Sequence, residues 1–187
     1  MGDSARARAL AWRSIDPDPV TRAELDELVQ RADTAELEAL FTGRLEFGTA
    51  GLRGPLGVGP NRMNRVVCRQ TAAGVALALT ESVQDAGTRG VVVAHDARYG
   101  SQAFADDIVE VLTTHGLDVH RIDGPAPTPL AAFAVRHLRA AAGVVVTASH
   151  NPSQDNGIKV YWSDGAQIVA PVDQRIATLI DQAASKD

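Results

Sequence analysis

The sequence has a single cysteine, Cys68, so no disulfide can close within the chain and a reducing compartment is expected. It has no surplus of basic residues. Eighteen Lys and Arg face 23 Asp and Glu, and a net charge of -5 removes the general electrostatic footing for nucleic acid. No apolar run approaches bilayer length, and MGDSARARALAWRS lacks the continuous apolar core of a signal peptide. These absences point to a cytoplasmic protein without nucleic-acid or membrane partners. Three familiar chemical signatures are also missing: the Gly-Lys-Ser/Thr of a Walker A loop, a dinucleotide GxGxxG after a strand, and a GxSxG nucleophile elbow. His95, His115, His120 and His137 show no metal-ligand spacing and read as satisfied surface or loop imidazoles.

What is present is the composition of a soluble globular chain, 45% hydrophobic and 22% charged over 187 residues, enough for one α/β domain with a true core. The first forty residues read as two short amphipathic helices. Thr21 with Glu24 opens the first as a capping box before Leu25, Leu28, Val29 and Ala32, and Asp33 with Glu36 opens the second before Leu37, Leu40 and Phe41. Trp12 is expected to anchor packing. From Leu45 to Asn64 the sequence becomes a glycine-rich loop, LEFGTAGLRGPLGVGPNRMN, whose Arg53, with Arg62 and the following Arg65, suggests an anion.

Beyond it, helices and strands alternate. Helices are expected at 66–86, 101–115, 129–138 and after Pro171, and strands at 91–94, 117–122, 144–147 and 158–162, with a Ser163-Asp164-Gly165 turn leading back into 167–169. The implied architecture is a three-layer α/β/α domain with a mixed, mostly parallel sheet and a helical N-terminal extension. Ligands of such sheets gather beyond the carboxyl ends of the parallel strands, so the loops after 94 and after 146 should share one edge. Asp106 and Asp107 read as a solvated helix face, and Asp96 with Arg98 as an ion pair shaping its own loop.

The segment TASHNPSQDNGIKVY brings Ser149, His150, Asn151 and Lys159 together after an apolar strand. Adjacent residues of extended chain point to opposite sides, so a Ser149 to His150 relay of hydrolase type is disfavoured. The residues alone leave two readings open. Ser149 carries a phosphoryl group, with His150, Lys159 and Arg53 as donors, or Thr147 and Ser149 merely hold a polar turn begun by Asn151-Pro152.

FGTAGLRG at 47–54, HDARYGS at 95–101, APTP at 126–129, and TASHNP with NGIK at 147–159 occur in the order found in the α-D-phosphohexomutase superfamily. The extended FGTAGLRGPLGVGPNRMN most resembles its phosphoglucomutase/phosphomannomutase branch, which includes phosphopentomutase-like members. The resemblance implies an isomerase of carbohydrate metabolism that shifts a phosphoryl group within a sugar phosphate through phospho-Ser149 and a bisphosphorylated intermediate. It implies that His150 and Lys159 orient the phosphoserine and move protons, that Arg53 sits near the transferring group, and that Thr49 and Asn151 line the phosphate site. One Mg2+ on the Ser149 phosphate and a sugar 1,6-bisphosphate activator are implied as cofactors.

Members of the family have four domains, and the magnesium-binding Asp-Gly-Asp-x-Asp loop, the sugar-recognition loop and the C-terminal phosphate loop are not in this sequence. The expected division is therefore an extension over 1–43 and a first catalytic domain over 44–187, with the remaining domains of the same enzyme as partners. Little turnover is expected from this chain by itself, and an exposed apolar surface prone to self-association. Two alternatives stay open: a non-catalytic module binding sugar phosphate or a partner, and part of a sugar-bisphosphate synthase.

Overall fold

A computed structural model of the chain describes residues 4–31 and 34–186. Three helices come first: α1 (Ala5–Ile15), α2 (Pro19–Arg31) and α3 (Thr34–Phe41). The first was not anticipated. Its N-cap is Ser4, which accepts from the Ala7 amide, and its buried residues are Ala5, Ala9 and Trp12, three positions on one helical face. Trp12 meets Phe41 of α3 edge to face, with ring centroids 6.1 Å apart. At the start of α2 the expected Thr21 and Glu24 capping box gives way to Asp18, whose carboxylate accepts from the Val20 amide at 2.9 Å. The Thr21 hydroxyl donates instead to the buried Asp16 at 2.6 Å. Ala32 and Asp33, and with them the expected cap of α3, lie outside the described residues.

The remaining elements are β1 (Leu52–Pro55), α4 (Arg65–Ser82), α5 (Ala86–Arg89), β2 (Val91–His95), α6 (Ser101–Thr114), β3 (Val119–Pro125), α7 (Thr128–Leu138), β4 (Ala142–Val146), β5 (Asp155–Tyr161) and α8 (Val172–Ala184). The single helix expected over 66–86 is two. α4 ends at Ser82 with extended Val83 as its cap, and left-handed Asp85 turns the chain into the short α5. The return expected over 167–169 is only a bridge between Tyr161 and Gln167.

The five strands lie in the order β1-β5-β4-β2-β3. β2 pairs in parallel with β3 and β4, whereas β5 pairs antiparallel with both β4 and β1, so β5 alone runs against the other four. The expected mixed, mostly parallel three-layer sheet is what forms. Val91, Val93, Val144, Val146, Ile158 and Val160 enter the main core with α4, α6 and α8, while Val92, Ala94 and Val145 face α7 in a second, smaller cluster. Leu130, Phe133 and Leu138 on α7 are exposed. Among the described residues no helix is long and apolar enough to cross a membrane.

Asp107 overturns the reading of a solvated face. Its side chain is wholly buried and accepts two hydrogen bonds from Arg65, at 2.6 and 2.9 Å, and one from Arg69 at 2.9 Å, fastening α6 to α4. Arg69 also pairs with Glu110, and this bond, with that to Asp107, raises the guanidinium pKa. Asp106, half exposed, pairs with Arg121. Burial pushes the Cys68 thiol well above its ordinary value, so it packs as an apolar group.

Candidate active site

The carboxyl ends of β2 and β4 are neighbours, with His95 opposite Val146. The ladder runs one step further, because the Asp96 amide donates to the Val146 carbonyl at 3.0 Å. Segments 96–100 and 147–154 therefore leave the sheet side by side, as expected. The chain passes from β2 to β3 on one flank and then to β4 on the other, which places this pair of loops at a topological switch point.

In the second loop Thr147 is buried, and its hydroxyl accepts from the Ser149 amide at 2.9 Å. Ser149 itself is exposed and adopts φ 56°, the left-handed region that non-glycine residues rarely occupy. The Asn151 amide closes the turn onto Ala148 O at 3.0 Å, and Asn151 Nδ2 donates to Asp155 Oδ2 at 2.9 Å. The polar-turn reading thus describes Thr147 and Asn151, whereas Ser149 joins the turn through its backbone and is itself exposed. His150, next to it, is also exposed.

The first loop grips the second. Arg98 donates from Nη2 to the carbonyls of Ser149 and Asn151, both at 2.8 Å, and from Nη1 to those of Pro152 at 2.7 Å and Asp155 at 3.1 Å. Asp96 holds Arg98 Nε at 3.2 Å, as the expected ion pair, and accepts from the Ser101 hydroxyl at 2.7 Å. Fully buried Asn156 adds a second link, donating to Tyr99 O at 2.8 Å and to Ser101 Oγ at 3.0 Å. The Asp96 pair is legible in the sequence, whereas the reach of Arg98 and the bridge of Asn156 are not, although both residues stand within the motifs HDARYGS and NGIK.

Arg53 and Lys159 come from the edge of the sheet. The glycine-rich stretch expected to be a loop contains a strand, and β1 sets Arg53 opposite Gly157, whose carbonyl also accepts from the Thr147 amide at 2.8 Å. Side-chain alternation puts Arg53, Gly157 and Lys159 on one face. Gly157 is required there, because a Cβ would meet Leu52 O at 2.4 Å and Arg53 Cγ at 2.9 Å. Burial first, and then the charge of Arg53, lowers the Lys159 pKa from the ordinary lysine value. Arg53 Nε is buried with no hydrogen-bond partner among the described residues. Two crowded cations, one with an unpartnered N–H, suit an anion.

Thr49 is placed differently. It sits exposed in the Gly48–Gly51 turn, where its carbonyl accepts from Gln167 Nε2 at 2.6 Å. The β1 register carries that turn toward the Tyr161 end of β5 rather than the Asp155 end from which the serine turn emerges. Nor do the described residues fit a magnesium site, which takes hard oxygen ligands, since they include no group of three or more His, Cys, Asp and Glu able to hold a metal.

Residues 44–187 match the family described as phosphoglucomutase/phosphomannomutase, alpha/beta/alpha domain I. The chain belongs to that family. A mouse phosphopentomutase is 40% identical over 186 residues, covering 96% of this chain, and a mouse glucose 1,6-bisphosphate synthase is 36% identical with the same coverage. The chain spans only 30% of the length of either relative. A phosphoglucomutase/phosphomannomutase family protein from Burkholderia thailandensis shares the fold, with a TM-score of 0.62 and 28% identity over 74% of this chain and 30% of that one. Within the phosphoglucomutase/phosphomannomutase family, the exposed Ser149 turn at the switch point is the feature to be explained.

Proposed function

We propose that this chain is the phosphoserine-bearing first domain of a cytoplasmic sugar-phosphate mutase, with residues 1–43 as an extension and 44–187 as the domain proper. Ser149 Oγ carries the phosphoryl group and gives it to a free hydroxyl of a sugar phosphate. The bisphosphate so formed turns over, and its other phosphoryl group returns to Ser149. Little covalent work falls to the protein in such a transfer, which depends on positioning and on charge stabilisation.

Most of the site residues have a part in that scheme. Arg53, with an unpartnered buried Nε, takes a phosphoryl oxygen. Lys159, its proton held less tightly than that of an ordinary lysine, exchanges a proton with the attacking or leaving hydroxyl. His150 and Asn151 flank the carried phosphate, whereas Thr49, turned toward the Tyr161 end of β5, is left without a part on the phosphate itself. A magnesium ion, when bound, would neutralise phosphoryl charge, with its protein ligands supplied from outside this chain. A sugar 1,6-bisphosphate would recharge a serine that has lost its phosphoryl group.

The observation that carries this reading is Ser149 itself, exposed in a left-handed turn at the shared edge of two parallel strands. Its test is covalent. After incubation with glucose 1,6-bisphosphate or ribose 1,5-bisphosphate, intact mass should rise by about 80 Da, the mass of one phosphoryl group, mapped to Ser149 and absent from Ser149→Ala. Failure of the chain to take up phosphate, even when supplied with the rest of the enzyme, would defeat the carrier role. The similarity to the glucose 1,6-bisphosphate synthase supports a second reading, in which the same serine loads a sugar phosphate from an activated donor. Donor dependence of the bisphosphate product separates the two.

A further inference from the structure

Arginine has five N–H donors, and Arg98 spends the four of its terminal nitrogens on the carbonyls of Ser149, Asn151, Pro152 and Asp155. Nε lies against Asp96 as an ion pair at 3.2 Å. The side chain is only 15% exposed, so the guanidinium is committed to the protein. What the guanidinium does is gather four carbonyl oxygens, the negative ends of their peptide dipoles, onto one side of the serine turn.

The consequence follows from peptide planarity. The bonds from Ser149 to His150 and from Pro152 to Ser153 are trans, so each N–H points opposite to its carbonyl. With the oxygens of Ser149 and Pro152 drawn to Arg98, the amides of His150 and Ser153 are turned to the other side. A turn that carries an anion needs this division, because carbonyl oxygens facing a phosphoryl group would repel it and amides would attract it. The same grip explains how Ser149 keeps φ 56°, a conformation that persists only where its surroundings over-determine it.

We infer that Arg98, held by Asp96, is a positioning residue that sets the peptide dipoles of the serine turn for an anion on Ser149. This rests on the phosphoserine reading for its purpose but not for its geometry. Lysine cannot replace it, since one ammonium on a flexible stem cannot reach four separated carbonyls.

The experiment compares wild type, Arg98→Lys and Arg98→Ala by amide hydrogen exchange and by phosphoryl uptake from a sugar bisphosphate. The amides of Ser149, Asn151 and Asp155 are the local reporters, since they donate within the turn to Thr147 Oγ1, Ala148 O and Pro152 O. In both variants their exchange should quicken by about tenfold or more, the scale of losing one charge-assisted hydrogen bond, with β2 and β4 protection unchanged. Uptake should fall in rate with little change in the bisphosphate concentration at half-maximum. Millimolar guanidinium ion should restore part of it to Arg98→Ala and do nothing for wild type.

Unchanged exchange in the turn, or loss of protection in β2 and β4 equal to that in the turn, would overturn the inference. So would full rescue by Arg98→Lys. If wild type, supplied with the rest of the enzyme, takes up no phosphoryl group, the functional reading fails while the exchange result still judges Arg98.

Discussion

Asn156 Nδ2 donates to Ser101 Oγ at 3.0 Å, closing from the buried side the same gap that Arg98 closes from the outer side. The two loops of the candidate site are therefore joined twice, once by an amide in the core and once by a guanidinium near solvent. Replacing Asn156 by Leu would leave the Tyr99 carbonyl, the Ser101 hydroxyl and the Gly157 amide without the partner they now share. The expected cost is about 2–3 kcal/mol, because buried polar groups lose their bonds and keep their desolvation. Urea unfolding measures it; a cost below about 0.5 kcal/mol would show that water replaces the amide.

Asp107 gives a second expectation. Asp107→Leu would strand Arg65 and Arg69 over a buried surface, at a cost of about 2–3 kcal/mol, since hydrogen bonds to charged groups are lost and both guanidiniums are only about one-third exposed. Leaving the carboxylate and removing Glu110 should cost far less, as befits an exposed pair screened by solvent. Denaturant midpoints at constant m-value compare the two.

Gly51 tests the edge strand. It has φ +81°, and a Cβ there would lie 2.0 Å from Ile158 O. Gly51→Ala is expected to destabilise by about 1–3 kcal/mol through backbone strain, and by more if β1 detaches from β5. Amide exchange at the β1 residues distinguishes local detachment from a global loss.

Lys159 makes a prediction in pH. Its pKa is lowered in the folded chain by burial and then by Arg53, so between that value and the ordinary lysine value the unfolded chain binds more protons than the folded one. Stability should therefore rise with pH through that window, and the penalty should be fully present below it. Lys159→Met should remove this part of the slope. In Arg53→Gln the Lys159 resonance should titrate at higher pH than in wild type while staying below an ordinary lysine, because burial persists. An unchanged titration midpoint would show that the two cations do not sense one another.

These features differ in how readily the sequence discloses them. β2 and β4 could be found because strands covered on both faces read as unbroken apolar runs, VVVA and GVVV. β1 could not, since LRGP ends in two strand-breaking residues and owes its conformation to pairing with β5, more than a hundred positions later. α1 leaves little trace in the sequence because two of its three buried residues are alanines among arginines, which gives little apolar periodicity. Among the site residues, Ser149 and Lys159 were legible from one short segment. Arg98 was legible only as far as Asp96, because its carbonyl partners lie 51 to 57 residues away and carry no side-chain signal. Asp107 reads as solvated for the same reason, its partners Arg65 and Arg69 being on another helix.

The reversed direction of β5 has an engineering consequence. A parallel crossover would have left the sheet through a helix and returned, but the segment from Thr147 to Gln154 is a hairpin between two hydrogen-bonded neighbours. Its two ends are fixed a strand's width apart whatever the turn contains. The turn is thus a replaceable cartridge, and a graft of equal length should be accepted by the scaffold wherever it presents carbonyls to the waiting guanidinium. Added length, by contrast, would have nowhere to go except away from it.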